Sequence, residues 1–565
     1  MRKNKIVIIG GTACGPKTAA RARRCDPQAQ ITLVEQGAYL STATCGLPYY
    51  ISGVINKEQE LLKVRQDFFE NVMKVEVMTN TKALAIDRVA GEISVQAMEG
   101  NRVSNIKYDK LVLATGSSPI VPNLEGVKLK GIHTLANIDD ANTIRDMVSA
   151  SRVKRVVIVG AGLIGMEMAE AFASQELDVT VIEALDWVLP TLLDFEVAAK
   201  VEKHLHSRGV KILLGQRVKG FVGNGDGMLR KVLTENAEID AEMSLLSIGA
   251  RPNIGLARDA GLTIGVTGGI AVNQYLQTSD PNIYAGGDCV ENTNRVTGKK
   301  VLVPMGSTAN KHGRIIGTNI TGGSDTFPGV LGTAVVKIFD CNVARVGLNE
   351  LQARAAGYEI VTAIISDYEH ASYYPNGREI LIKLVAEKSS GRLLGGQAMG
   401  PGEVAKRIDV LATALAFGAT AEDVANFNLA YAPPFSNAMD PLHKAANVIR
   451  NKISGCAAAL NPVEVKHLLE TNENAILLDV RSPGEWDSCR IETPQTKLLP
   501  LRELRSKLDS LPRDAEIVIY CQTGTRAYQA QRILASEGFE NVTFLDGGII
   551  AWPYGVTVIK PYLCW

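Results

Sequence analysis

Neither sign of charge predominates along this chain of 565 residues: lysine plus arginine and aspartate plus glutamate each total 60. That balance leaves no basic footprint for nucleic acid. Aromatic residues are sparse at 5%, yet 46% of residues are hydrophobic, which excludes a disordered composition. No apolar run approaches the roughly 20 residues that cross a bilayer, and the longest, near Leu411 to Ala421, is broken by Thr413 and Gly418. The opening MRKNKIVIIGG has the charges of a signal peptide, but its apolar run ends quickly in glycines and reads as a first β-strand. Nine cysteines are scattered singly, without CxxC pairs or histidines at ligand spacing. This argues against a disulfide framework and against a metal site, and makes a reducing cytoplasm the expected location.

The length is too great for one hydrophobic core; about 100–200 residues per domain implies three to five domains. Two segments repeat one design, an apolar strand, a glycine turn, an alanine-rich helix and a second strand ending in glutamate: KIVIIGGTACGPKTAARARR to Glu35, and RVVIVGAGLIGMEMAEAFA to Glu183. Each is a βαβ unit of the nucleotide-binding kind. Alternating strands such as AVVKIF and EILIKLV follow, then the weakly patterned KISGCAAALNP (452–462), the best candidate for a linker.

In the second unit Gly160, Gly162 and Gly165 stand between strand and helix, where backbone N–H groups and a helix N-terminus meet a pyrophosphate. Glu183 lies 18 residues beyond Gly165, placed for ribose hydroxyls, and Ala184, Leu185 and Asp186 supply no cation for a 2′-phosphate. NADH is therefore favoured, with NADPH the alternative; glycines serving only helix–strand packing are the bland explanation. The first unit is less regular, with Thr12 where the middle glycine would stand, but Glu35 follows Gly15 by 20 residues. LVLATGSSP (111–119) and TSDPNIYAGGDC (278–289) complete an FAD site, the latter ending near Asp288, where a carboxylate either holds the ribityl chain or simply caps a helix.

Taken in order, these motifs resemble those of the two-dinucleotide-binding-domain flavoprotein reductases over roughly residues 1–450. The resemblance implies an α/β fold with two Rossmann-like domains, for FAD and NAD(P), and an α+β dimerisation domain that makes a homodimer. The expected boundaries are 1–150 and 276–328 for the FAD domain, 151–275 for the NAD(P)H domain and 329–451 for dimerisation. It also implies FAD contacts from Gly10, Ala13, Gly15, Glu35, Ala83, Ala114, Thr115, Gly116, Gly287, Asp288 and Ala309.

After the first unit comes Ser41-Thr-Ala-Thr44-Cys45-Gly-Leu-Pro-Tyr-Tyr50. Glutathione-reductase-type relatives pair two cysteines five residues apart; here the second position is Tyr50, so Cys45 forms no such internal disulfide. Its oxidised form is then a mixed disulfide, a persulfide or a sulfenic acid. The working nucleophile is the thiolate, whose pKa, ordinarily about 8.5, nearby helix N-termini or cations would lower; the bland explanation is a small buried hydrophobe. With HASYYP (370–375) and YAPPF (431–435), the segment resembles the coenzyme A-disulfide reductase, persulfide reductase and NADH oxidase branch. The resemblance implies that Tyr373 and Tyr431 approach Cys45 across the dimer interface as proton donors, against the alternative of two packed aromatics. For coenzyme A it implies Arg21, Arg24, Ser41, Thr44 and Lys311 near the substrate. The arginines are equally readable as a solvated helix face. Relatives usually carry Asn at Thr44 and Lys at Met439; these two departures weigh against coenzyme A binding and leave the thiol chemistry at Cys45 untouched.

Residues 463–565 resemble a single-domain α/β rhodanese, through AILLDVRSPGEW, IVIYCQTGTRA and FLDGGIIAW. Cys521-Gln-Thr-Gly-Thr-Arg526 follows a strand and precedes a helix, so successive amides form a cradle for a thiolate or persulfide. Arg526 is expected to close the loop against Asp479 or Glu485. IETPQTKLLP (491–500) departs from the usual turn on one side of the pocket.

The expected activity is NADH-driven, FAD-dependent reduction of persulfide, polysulfide or coenzyme A persulfide at Cys45, with sulfane sulfur collected on Cys521. Coenzyme A-disulfide reduction shares every reductase motif and is the first alternative. An oxygen- or peroxide-reducing NADH oxidase is the second, and a redox sensor without turnover the non-enzymatic one.

Overall fold

A computed structural model describes residues 4–150 and 152–558; the last seven residues of the rhodanese-like segment and the first three of the chain lie outside it. The described residues form two compact units, one from within 1–184 and 209–330, the other from within 185–208 and 331–565.

In the first unit the strand Lys5–Ile9 pairs in parallel with Gln30–Val34 and Lys110–Leu113, in a five-stranded sheet completed by Ile283–Ala285 and Glu76–Met78. Its side chains alternate between two apolar clusters: Ile6 and Ile8 pack with Ala19 and Ala22 of the helix Cys14–Cys25, while Val7 and Ile9 pack with Ile93 and Val95 of a neighbouring antiparallel sheet. Burial on both faces is what an unbroken β-branched run specifies. A second parallel sheet repeats the plan around Arg155–Val159, flanked by Asp178–Ile182 and Met243–Leu246. Helix Cys14–Cys25 lies against helix Gly306–Asn319, whose glycines allow the approach: a Cβ at Gly313 would come 2.4 Å from the Cys14 carbonyl oxygen.

The second unit contains a five-stranded antiparallel sheet with Ile360–Tyr368 at one edge, and a parallel sheet in which Ile517–Tyr520 is central. Two features bear on how the chain is divided. Residues 185–208, expected inside a continuous NAD(P)H domain, belong to this unit. One fastening is electrostatic: Lys383 of the antiparallel sheet is wholly buried and its ammonium meets Asp194, Glu196 and Glu350 at 3.1, 3.1 and 2.9 Å. The expected linker is also structured at both ends. Lys452 and Ile453 close the helix Pro441–Ile453, and Ala459–Leu460 pairs in parallel with Val542–Leu545.

Candidate functional site

Both glycine turns are shaped by close backbone approach. Gly10 has φ +106° and a Cβ there would sit 2.1 Å from the Ala114 carbonyl oxygen; Gly160, at +104°, faces the Ser247 oxygen at 2.6 Å in the same way. Gly15 and Gly165 each press on the carbonyl of the first glycine of their own turn, at 1.8 and 2.1 Å from an added Cβ. Neither following helix has a side-chain cap, with Ala13 and Gly162 at the N-cap positions, so its first-turn amides face outward as an anion site needs. The acids at the ends of the second strands occupy equivalent places: Glu35 accepts from the Gly11 amide at 2.6 Å, Glu183 from the Ala161 amide at 2.8 Å. The residues present fit two dinucleotides.

Of the remaining FAD-motif residues, Ala114 meets the first turn at Gly10, and a Cβ at Gly287 would lie 3.4 Å from Cys14 Cβ. Thr115 donates to the Asn253 carbonyl at 2.7 Å, and Asn253 returns a bond from its side-chain amide to the Thr115 carbonyl at 2.8 Å. Gly116 has φ +64°. Gly287 donates to His312 Nδ1 at 3.1 Å, beside Ala309 on the same helix. The Asp288 carboxyl, 3.3 Å from the Ser117 hydroxyl, is pushed up by burial and caps no helix. Ala83 stands on the strand Thr81–Asp87, half-buried against the Ile93 cluster.

Cys45 is exposed, in a short turn Thr44–Gly46 ahead of the helix Leu47–Ile51. Its thiol neighbours the start of helix Gly306–Asn319; a Cβ at Gly306 would lie 3.9 Å from Sγ. Sequence reasoning expected a lowered thiol. The direction is instead upward: partial burial is the main cause, joined by the carboxylates of Glu167 and Asp288. Glu167 is a residue the sequence reasoning passed over, its own carboxyl pushed up to about 7 by burial and by Glu170. The available signal was an acid two positions after Gly165, one of two in the otherwise apolar helix Leu163–Ala173.

Of the expected substrate residues, Arg24 and Lys311 are exposed, while Arg21 is tied to the neighbouring helix through Thr318 at 2.9 Å. Ser41 takes a left-handed conformation, φ 54°, with its amide on the Gly11 carbonyl, and so joins the cysteine turn to the first glycine turn. In the second unit, Tyr373 and Tyr431 meet hydroxyl to hydroxyl at 3.4 Å on an exposed face, and Met439 is exposed too. The shared hydrogen bond raises the Tyr373 phenol.

Cys521 is buried at the end of its strand and accepts from the Gly524 amide at 3.1 Å. Gly524 is left-handed, φ +100°, which turns that amide back toward sulfur. Arg526 closes on Glu485, with bonds of 2.8 and 2.6 Å; the alternative partner, Asp479, is held by Arg481 at 2.7 Å instead.

The family model described as pyridine nucleotide-disulphide oxidoreductase matches residues 4–313. The chain belongs to that family. Models of the family's dimerisation domain and of a rhodanese-like domain match residues 333–443 and 461–553 of this oxidoreductase. The family uses FAD and NAD(P)H. The oxidoreductase is 38% identical to the "NAD(P)H coenzyme A polysulfide/persulfide reductase" of Pyrococcus horikoshii, over 79% of this chain and 99% of that one. A solved structure described as a NAD-dependent persulfide reductase from A. fulgidus superposes with a TM-score of 0.92 at 43% identity, covering 97% of this chain and all of that one. Reduced Bacillus anthracis CoADR-RHD gives the same score at 35% identity and 98% coverage of both. Among the described residues no helix is long and apolar enough to cross a membrane.

Proposed function

We propose that this oxidoreductase reduces sulfane sulfur, presented as a persulfide or polysulfide and in particular on coenzyme A, with electrons from NADH, through Cys45 as its single redox cysteine. The observation that carries the reading is Cys45 itself: an exposed, free thiol beside the Gly306 helix start, with Tyr50 where a partner cysteine would stand. FAD, when bound, supplies the two electrons taken from NADH. The first-turn amides at Ala13–Gly15 and Gly162–Gly165 hold the two pyrophosphates, Glu35 and Glu183 the riboses, and Asp288 the ribityl chain.

At the redox centre the Cys45 thiolate attacks the outer sulfur of R–S–SH. A new S–S bond forms to Cys45, the old one breaks, and RS⁻ leaves with the electron pair. Tyr373 and Tyr431 of one protomer protonate that leaving group in the partner's site, a role for which a hydroxyl pair sharing one hydrogen bond is suited. Two electrons and a proton then release sulfide and restore the thiolate, so that RSSH, NADH and H⁺ become RSH, H₂S and NAD⁺. Covalent capture divides one reduction into two transfers. Cys521 gathers sulfane sulfur as a persulfide in its amide cradle, with coenzyme A as relay, in a homodimer of the reductase part.

Coenzyme A-disulfide reduction is the second reading, supported by the likeness to CoADR-RHD over both parts of the chain. Anaerobic NADH oxidation with coenzyme A persulfide, coenzyme A disulfide and polysulfide side by side separates the two. Fastest turnover with the persulfide, accompanied by sulfide release, is expected; a higher kcat/KM with the disulfide overturns the proposal.

A further inference from the structure

The loop that carries Cys521 does not stand alone. Its far side rests on the turn Asp546–Gly548, and that turn rests in its own right on the antiparallel sheet of the same unit. The Ile549 amide donates to the Cys521 carbonyl at 2.8 Å. Gly548 is left-handed, φ +64°, and a Cβ there would lie 2.6 Å from the Cys521 oxygen and 2.5 Å from that of Gln522. On the other side, Ser366 of the edge strand Ile360–Tyr368 donates to the Gly547 carbonyl at 3.3 Å, and a Cβ at Gly547 would lie 2.9 Å from the Ile364 side chain. Two glycines thus leave no slack between strand and sulfur loop.

The joint is closed by one ion pair. Lys452 donates to the Thr362 carbonyl of the edge strand at 2.8 Å and to Asp546 Oδ2 at 2.5 Å. The Asp546 side chain is 1% exposed and that of Lys452 12%. A carboxylate so buried is tolerable only with its partner in place. Lys452 lies outside the rhodanese-like segment 461–553, so the pair crosses a domain boundary. A glue role would need only that the surfaces adhere. Here the charged group adjoins Gly547, and Gly548 beyond it touches the Cys521 loop.

We propose that Lys452 is a positioning residue for Cys521: its ion pair with Asp546 fixes the turn that seats the sulfur-transfer loop, so the reductase part of the chain sets the shape of the cradle. This rests on Cys521 being the sulfur carrier. In the reaction concerned, the Cys521 thiolate attacks the outer sulfur of thiosulfate, an S–S bond forms as that of thiosulfate breaks, and sulfite leaves with the electron pair. Cyanide then removes the sulfur as thiocyanate and returns the thiolate, with no net electron transfer.

The test uses the full-length holoenzyme and follows the pre-steady-state release of sulfite, whose amplitude counts competent cysteines and whose rate reports their geometry. Lys452→Met is expected to keep the amplitude and the KM for thiosulfate within about twofold while slowing the burst about tenfold to a hundredfold, the range for a small misplacement of a reacting group. Lys452→Arg should recover the rate, and flavin reduction by NADH should be unchanged in every variant. The double variant Lys452→Met with Asp546→Asn removes both charges, leaves none buried alone, and should be as slow as the single one. A wild-type rate in the double variant overturns the proposal. So does a loss seen wholly in amplitude, since that is stability without positioning. A wild-type protein with no sulfite burst overturns the reading of Cys521 itself, and the proposal with it.

Discussion

Arg526 grips Glu485 with both arms of its guanidinium, at 2.8 and 2.6 Å, and this draws the Glu485 carboxyl down to about 2. The bond to Arg526 is the largest cause, with the Ser482 backbone and hydroxyl adding to it. The pair closes the loop whose amide points at Cys521. A bidentate fork has no lysine equivalent. Arg526→Ala and Arg526→Lys are both expected to lower sulfur transfer, by about tenfold or more for a positioning contact. Thiosulfate:cyanide kinetics check this, and full activity in the lysine variant would remove the argument. A carboxyl with a depressed folded-state pKa contributes stability above its ordinary value near 4.5 and loses it as pH falls toward 2. The melting difference between wild type and Glu485→Gln should therefore shrink across that window, modestly, because both side chains are partly exposed.

The two cysteines divide the chemistry between them. Cys45→Ser should leave a yellow protein that NADH still reduces, yet with no persulfide-dependent turnover. Cys521→Ser should stop thiosulfate:cyanide transfer while sparing reduction of a small preformed persulfide. Sulfide release and thiocyanate formation, measured on both variants, test the division; loss of both activities in either one would mean a single shared site.

How much of this could be read in the sequence depends on how local the information is. The dinucleotide turns are legible because glycine, helix and acid sit within one βαβ unit, and the bonds that Glu35 and Glu183 accept from the adjoining turns are the atomic counterpart of that repeat. The absence of a second cysteine at Tyr50 was equally plain. What escaped was long-range. The Lys383 cluster draws on residues 194, 196 and 350, so no window of sequence reveals why residues 185–208 leave their neighbours. The expectation of a lowered Cys45 thiol failed similarly, because Glu167 reaches it from the other nucleotide-binding unit. Asp479 and Glu485 are equally plausible partners of Arg526 by sequence; Arg481, two residues from Asp479, occupies the first.

Lys383 also sets a stability prediction. Burial alone would lower its ammonium; Glu196, Asp194 and Glu350 overcome that and drive it well above the ordinary lysine value. Removing one member of a buried ion cluster strands the others, at a cost of about 3–5 kcal/mol. Lys383→Met should accordingly move the first urea transition to lower concentration and make residues 185–208 accessible to limited proteolysis. An unshifted midpoint would show that the cluster is not what fastens this segment.

Glu167 gives the pH dependence. Its carboxyl, held up to about 7, is largely neutral below that pH and charged above it, and its charge opposes thiolate formation at Cys45. In Glu167→Gln the midpoint for alkylation of Cys45 should fall, because a nearby like charge is removed, and an inflection near 7 in the wild-type rate profile should disappear. Stability follows the opposite sense from Glu485: with the folded-state pKa raised above 4.5, the contribution of the protonated group is present at low pH and is lost as pH rises through about 7. The glutamine variant should thus match wild type near pH 4 and exceed it at pH 8. If the alkylation midpoint of Cys45 stays where it is while the stability difference appears as described, Glu167 is a buried acid without influence on the thiol, and the pH profile of the reaction must come from elsewhere.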